Sequence, residues 1–582
     1  MSDIEQRLVT AARDGEWLVC TKKDAPVPAG LIRDLLLGRH GELDPAGVRL
    51  DGARIQGVLD LDRVKASVGL VFVDCTIEEP IEARYATLPD LLFSGGRCAG
   101  LHADGLQVDG DLFLRNGVRV DRNDERGAIR LIGGQVGGDA EFSDVRITNA
   151  EGSALNADKL TVRGQMLLQG ARFVGHGERP AVSLNGARLA SNLVVTDTEI
   201  TNDAGPALGV RAADVGGPIR LQEGNRLTSG GEAGALLLTG THVSGRVVLS
   251  DTEIAGTGGP GLDAGDAKID GSFLVTDAKI STGAGAAVAL DRAHVGGGIT
   301  LTGITRLSAG GDSCAVSLNN VRAGDWFLCA ESIELVAKPE SLNLRSMVVA
   351  GAVRLPHTSV CPDKRRGSTC DHTGRVRLDD FSYSSLSSTW HWEEWLHVIR
   401  CHTPAYHASA YQRLAAVERA AGHDGTVRQI LMAQQTDLRR RSPESLGGPL
   451  TRWFHWLWGA LAGYGYRARR TAAALALVLV AAGALGWVAG QVSTRPGHLV
   501  AERVATAPVG AGTPCSTVEL VGLGLDRGLP LAMTGMRARC DLDTSSKKGQ
   551  AFTAAIWLVQ LAVWGLATLA LAGYTNLVRK PG

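Results

Sequence analysis

Apolar residues recur along this chain in short runs of period two, and the runs return about every 26 residues between positions 47 and 355, always in the same register. The clearest copies read AVSLNGARLASNLVVTDTEITNDAGP from Ala181, ALLLTGTHVSGRVVLSDTEIAGTGGP from Ala235 and GLDAGDAKIDGSFLVTDAKISTGAGA from Gly261. Equivalent slots hold Val182, Leu184, Ala187, Leu189, Leu193 and Val195 in one copy, and Leu262, Ala264, Ala267, Ile269, Phe273 and Val275 in another. Alternation of this kind belongs to strands, whose successive side chains face opposite ways, and a helix would need a period of about 3.6. The step from Pro80 to Gly100 is shorter than the others. It matches a coil of about four five-residue sides, so the extra residues of the longer copies, at TNDAGP, TSGGEAG, AGTGGP and STGAGA, read as Gly-rich loops at one corner. The pattern predicts a mainly β solenoid over 47–356, a four-sided parallel β-helix with about 26 residues per coil and an interior filled by side chains. Helical periodicity near the start predicts an N-terminal helical cap over 1–46, and helices after Phe381 cover the other end.

Two charge-free apolar stretches, 471–490 and 552–575, are long enough to be transmembrane helices. Arg467, Arg469 and Arg470 precede the first, and Arg579 and Lys580 in the tail 576–582 follow the second. Positive flanks stay on the cytoplasmic side, which predicts an inner (plasma) membrane protein with two spans, both termini inside and the bulk of the chain cytoplasmic. The opening MSDIEQRLVTAARDGEW has no basic region followed by an apolar core, so no secretory signal is expected. The competing reading is an apolar hairpin buried in a soluble protein. Segment 449–470 gathers Trp453, Trp456 and Trp458 beside those arginines, a composition suited to the headgroup layer of the lipid bilayer. On this topology 491–551 is an extracytoplasmic loop, where Cys515 and Cys540 are expected to form a disulfide worth about 3 kcal/mol in the chain-entropy model. Two thiols in a poorly ordered loop are the alternative.

The formal net charge of −1 hides a polarity, because the repeats are acidic and the positive surplus lies C-terminal to them. Between repeats and membrane, 357–380 comprises a polar loop and a last strand, and its His357, Cys361, Cys370 and His372 form a candidate Cys₂His₂ set for tetrahedral zinc. The usual CxxC pair is missing, and ordinary thiols and surface histidines are the plainer reading. Cys401 with His402 could join the site or form a catalytic pair, although adjacent residues on a helix point apart. Segment 381–448 reads as a helical collar of three helices, the last two forming a hairpin turned at 422–425. Arg428, Arg439, Arg440 and Arg441 suit phosphate headgroups or water rather than nucleic acid. There is no GxGxxG between strand and helix, no CxxCH and no iron–sulfur spacing, so no cofactor is predicted, and zinc is the one metal the residues would suit.

Several segments carry a resemblance. RDLLLG (33–38), VRLDGARIQGVLDLD (48–62), GLHADGLQVDGDLFL (100–114), YQRLAAVERAAGHDGTVRQILMAQQ (411–435) and GYGYRARR (463–470) resemble a family of actinobacterial membrane proteins commonly labelled membrane-associated oxidoreductases. The likeness covers essentially the whole chain and implies redox activity, with no catalytic motif to carry onto particular residues. The coils are similar to those of pentapeptide-repeat proteins, which implies a right-handed, four-sided β-helix.

The leading functional expectation is a membrane-anchored scaffold whose cytoplasmic β-helix presents repeated loops to an unidentified protein partner at the inner leaflet. An oxidoreductase, implied by the family resemblance, is the alternative. A third reading is an acidic rod mimicking nucleic acid, by analogy with pentapeptide-repeat proteins. Direct nucleic-acid binding is not expected, and the oligomeric state stays open.

Overall fold

The computed structural model describes residues 2–338, 340–361, 375–388, 391–504, 512–529 and 535–578. The chain divides into two compact units, Met1–Val417 and Glu418–Gly582.

The first unit is a parallel β-solenoid. Each coil supplies four short strands, as in Ile129–Arg130, Gln135–Val136, Ala140–Ser143 and Arg146–Asn149. Each strand pairs in parallel with its equivalent one coil on: Ile129 opposite Leu155, Val136 opposite Val162, Ala140 opposite Met166, Ile147 opposite Phe173. Two faces are unbroken sheets of 13 strands, which at about 4.8 Å per strand make a stack roughly 58 Å long. Because the repeat keeps register, like positions stack into columns. Leu112, Ala140, Met166, Leu193, Ile219, Val247, Phe273, Ile299 and Phe327 form one such column, all with no solvent exposure. Outside, polar side chains pair from coil to coil, Arg226 with Glu253 at 3.1 Å as an ion pair and the His242 ring within hydrogen-bond distance of Asp214 and Asp270 at 3.0 and 3.1 Å.

The Gly-rich corner loops stack backbone on backbone. A Cβ at Gly230 would lie 1.7 Å from the carbonyl oxygen of Asp203 in the preceding loop, so only glycine fits there. Several loops are also held from within by a buried polar residue at the base, a position that Gly175 and Gly256 occupy in other coils. Asn202 donates from Nδ2 to the carbonyls of Arg179 (2.6 Å) and Pro206 (3.1 Å), and its Oδ1 accepts from the amides of Ala204 and Gly205. Ser229, next in the same column, donates to the carbonyls of Gly205 (2.9 Å) and Gly234 (3.0 Å). Asn202→Ala should therefore remove the side-chain partner of the Arg179 carbonyl and of the Ala204 and Gly205 amides, at a cost of about 1–3 kcal/mol. Limited proteolysis should show new cleavage within 203–206.

The N-terminal segment, expected as a helical cap, adds short strands to its two helices. Helices α1 (Asp3–Asp14) and α2 (Ala29–Leu36) form, but between them Leu18–Val19 pairs with Val48–Asp51, and Val27–Pro28 pairs with Arg54–Gln56. The solenoid thus starts within 1–46, in strands of two residues that are too short to display a period. Asp24 ties this cap together by accepting the Thr21 amide (2.6 Å) and hydroxyl (2.9 Å) and the Arg7 guanidinium (2.8 Å). The Thr21 amide bond, then the hydroxyl and Arg7, hold its pKa at about 2. Since the folded value lies below the ordinary aspartate value of about 4, the contribution is full above pH about 4 and is lost as pH falls through about 2. The protection of α1 amides, taken relative to their intrinsic exchange rate at each pH, should fall over that window, and Asp24→Asn should weaken the dependence.

At the far end the last coil runs past the expected boundary at 380, because Ser382–Leu386 pairs with Val348–Arg354. Helices α3 (Trp392–Cys401) and α4 (Ala408–Ala420) follow. Trp395 donates to the Tyr383 hydroxyl at 2.6 Å with Phe381 packed beside both, and Arg413 donates to the Tyr383 carbonyl at 2.7 Å. These contacts cover the last apolar layer and the open strand edge.

The second unit contains α5 (Asp424–Arg441), α6 (Pro449–Ala462), α7 (Ala468–Ala489), α8 (Thr517–Gly528) and α9 (Lys547–Val578). Segment 491–551, expected as a loop, holds a small folded element. Ala501–Arg503 pairs antiparallel with Cys540–Leu542, and Val500, Ala501, Leu523, Leu542 and Ile556 form a core with Ala489. Helix α8 lies against α7 through glycines. A Cβ at Gly486 would lie 2.2 Å from the Leu520 carbonyl oxygen, and one at Gly524 would lie 2.1 Å from that of Ala482. Such small-residue contacts let helix backbones approach closely where apolar burial offers little discrimination.

Candidate functional site

Helices α7 and α9 contain windows, Arg469–Ala489 and Lys547–Leu571, long and apolar enough to cross a membrane. Only 22 % and 17 % of the respective windows is buried. Val480 is 72 % exposed and Leu561 68 %, whereas the core helix of a soluble protein would turn such side chains inward. Helix α6 precedes them with Trp453 and Trp456 exposed, while Trp458 is half-buried, its ring edge-on to Tyr464 at 6.0 Å. Arg467, Arg469 and Arg470 are exposed around the start of α7. Arg469 and Arg470 sit at a helix N-terminus, where the backbone dipole disfavours cations. Arg579 and Lys580 lie outside the described residues.

Cys515 and Cys540 are joined by a disulfide with their Cα atoms 6.4 Å apart. Cys540 is wholly buried, and Cys515 packs against the same core between α7 and α9. In the solenoid, Cys75, Cys98 and Cys329 remain thiols, and burial pushes their pKa values up to about 12, about 11 and about 12. Thiols so resistant to ionisation are core filling, because the thiolate is the reactive form.

Of the four residues proposed for zinc, Cys370 and His372 lie outside the described residues. His357 and Cys361 share one tight turn, in which the Cys361 amide donates to the His357 carbonyl at 2.7 Å, and both side chains are buried. Beside Cys361 the structure brings His397 and His402, and the three ligand atoms lie within 4.8 Å of one another. The two histidine Nε2 atoms are 3.3 Å apart. His397 lies inside α3, while His402 is the capping residue at φ −114°, ψ 2°, already off the helix. Five residues of unbroken helix would rotate the two side chains far apart, and termination at Cys401 lets them converge. The readable signal was the pair of histidines bracketing a helix end. Cys401, their neighbour, is outside this cluster. A groove of about 840 Å³ lies alongside, lined by Ser332, Val336, Lys338, Ser359 and Cys361 among others.

No family model, curated protein or solved structure matches this chain. The fold itself defines the class: a parallel β-solenoid of about 26 residues per coil, followed by a helical region and two apolar helices of membrane-spanning length.

Proposed function

We propose that this protein is a scaffold anchored in the plasma membrane by α7 and α9, with its solenoid on the cytoplasmic side as a docking surface for a protein partner. The observation that carries this reading is the joining, in one chain, of a side-chain-filled stack of 13 strands per face to two helices whose apolar side chains are exposed. A filled stack presents a large repeated exterior, the usual condition of solenoid binders. Coil-to-coil ion pairs alternate the sign of charge along its faces, which favours a protein surface over nucleic-acid mimicry.

Redox chemistry and charge support this topology. The disulfide lies between α7 and α9, suiting an oxidising exterior, while the solenoid cysteines named above are thiols, suiting a reducing interior. Arg467, Arg469 and Arg470 then face anionic headgroups, which offset the dipole penalty at the start of α7.

Two measurements test the proposal. A cysteine-reactive, membrane-impermeant reagent applied to intact cells should label a cysteine placed at Val518 and not one placed at Glu253. Photo-crosslinkers at Thr257 and Asp203 in the corner loops should give discrete adducts with one protein in living cells. Those adducts should vanish when the neighbouring loops are removed. Leu70, Leu91 and Leu112 stack in successive coils with no such loop, so loop-free coils close on their own. Labelling at Glu253, or no discrete adduct at any loop, would overturn the reading.

A further inference from the structure

We infer that Cys361, His397 and His402 form a binding site for zinc that clips helix α3 to the turn closing the solenoid. One thiolate and two imidazoles are a donor set that zinc prefers, and hard cations such as magnesium or calcium avoid it. The spacing fits as well. Two imidazole nitrogens bound to one tetrahedral zinc at about 2.0–2.1 Å stand about 3.3 Å apart. His397 Nε2 and His402 Nε2 are 3.3 Å apart. A thiolate sulfur at about 2.3 Å from the same ion would stand about 3.6 Å from each nitrogen. The Cys361 sulfur lies within 4.8 Å of both, so closure needs a side-chain adjustment of about 1 Å.

The surroundings are those of a site built to hold an ion away from solvent. Cys361 is 1 % exposed and His402 is wholly buried. On the same turn as Cys361, His357 is 6 % exposed, and neither of its ring nitrogens has a hydrogen-bond partner among the described residues. A buried imidazole in that state is uncommon. Its ring stands edge-on to His397 at 6.0 Å, and its Nδ1 is 3.6 Å from Glu394 Oε2. That separation is too long for a hydrogen bond, and His357 stands beside the three ligand atoms rather than among them. The other such grouping among the described residues, Cys515 and Cys540 beside Glu519, is disulfide-bonded and has no thiolate to give.

The location explains the use. His357 and Cys361 come from the turn after Val348–Arg354, and His397 and His402 from α3 and its end. The amide of Val376, in the last coil, donates to the His402 carbonyl at 2.7 Å. An ion here would tie the capping helix to the last coil at its open end. This site does not depend on the scaffold reading, since a scaffold or an enzyme would equally need that end closed.

The test uses the detergent-purified full-length chain, stripped of metal and titrated with cobalt(II). The expected result is one equivalent bound, a near-ultraviolet thiolate-to-cobalt band, and the strong visible bands of a tetrahedral centre, all displaced by zinc. Cys361→Ser should abolish the ultraviolet band. His397→Gln and His402→Gln should each lose the visible bands, and Cys401→Ser should keep both. Hydrogen exchange at α3 should slow when zinc is added. A wild-type chain that takes up no cobalt with a thiolate band, a band that survives Cys361→Ser, or α3 exchange indifferent to zinc would overturn the inference.

Discussion

Phe273→Ala should destabilise the solenoid by about 3–5 kcal/mol, and the loss should be felt on both sides of the substituted coil. Phe273 is wholly buried and stacks between Val247 and Ile299 in adjacent coils. Truncation removes the transfer energy of the ring and leaves a cavity that the two neighbouring coils cannot close, because each is pinned in register by its own ladder of hydrogen bonds. A solenoid is held by nearest-neighbour interfaces, and the central coil contributes to two of them. Chemical denaturation should show a lower midpoint, with a shallower or split transition if the two halves uncouple. The same change at half-buried Leu274, on the outer face of the same strand, should cost less. A Phe273→Ala protein that unfolds at the wild-type midpoint would contradict the inward assignment of this column.

The second large effect concerns the anchor. Full-length protein should stay with membranes through alkaline carbonate washing, whereas the double substitution Val480→Arg and Leu561→Arg should release it or block its insertion. Both side chains are more than two-thirds exposed near the middle of α7 and α9. On the insertion scale an arginine at a helix centre costs about 3 kcal/mol, so two of them cancel much of what two marginal spans gain. Arginine at Trp487, close to the C-terminal end of α7, should be tolerated, because its side chain can reach the interface. If both the wild-type chain and the double variant wash off, α7 and α9 do not traverse lipid.

Much of this architecture is carried by local pattern, for a physical reason. A stacked coil repeats the same burial at the same position, so period two inside Leu193–Thr196 and its return at Phe273–Thr276 specify strand, inward face and register together. The apolar helices are readable on similar grounds, since a charge-free run of about 20 residues satisfies its backbone internally and needs no knowledge of its neighbours. Other features depend on residues far apart in sequence. Leu18–Val19 becomes a strand only because Val48–Asp51 offers it an edge. Asn202, one polar residue among many in the repeat, becomes a clamp because a loop one coil away places the Arg179 carbonyl over it. Gly524 and Gly528 look like loop glycines until α7 is seen against them. The convergence of His397 and His402 on Cys361 depends on where α3 stops and on which turn it covers. Periodicity encodes interactions that recur at fixed spacing along the chain. Clamps, docked helices and ligand clusters are single long-range encounters, so they leave no period and are decided only when the chain has folded.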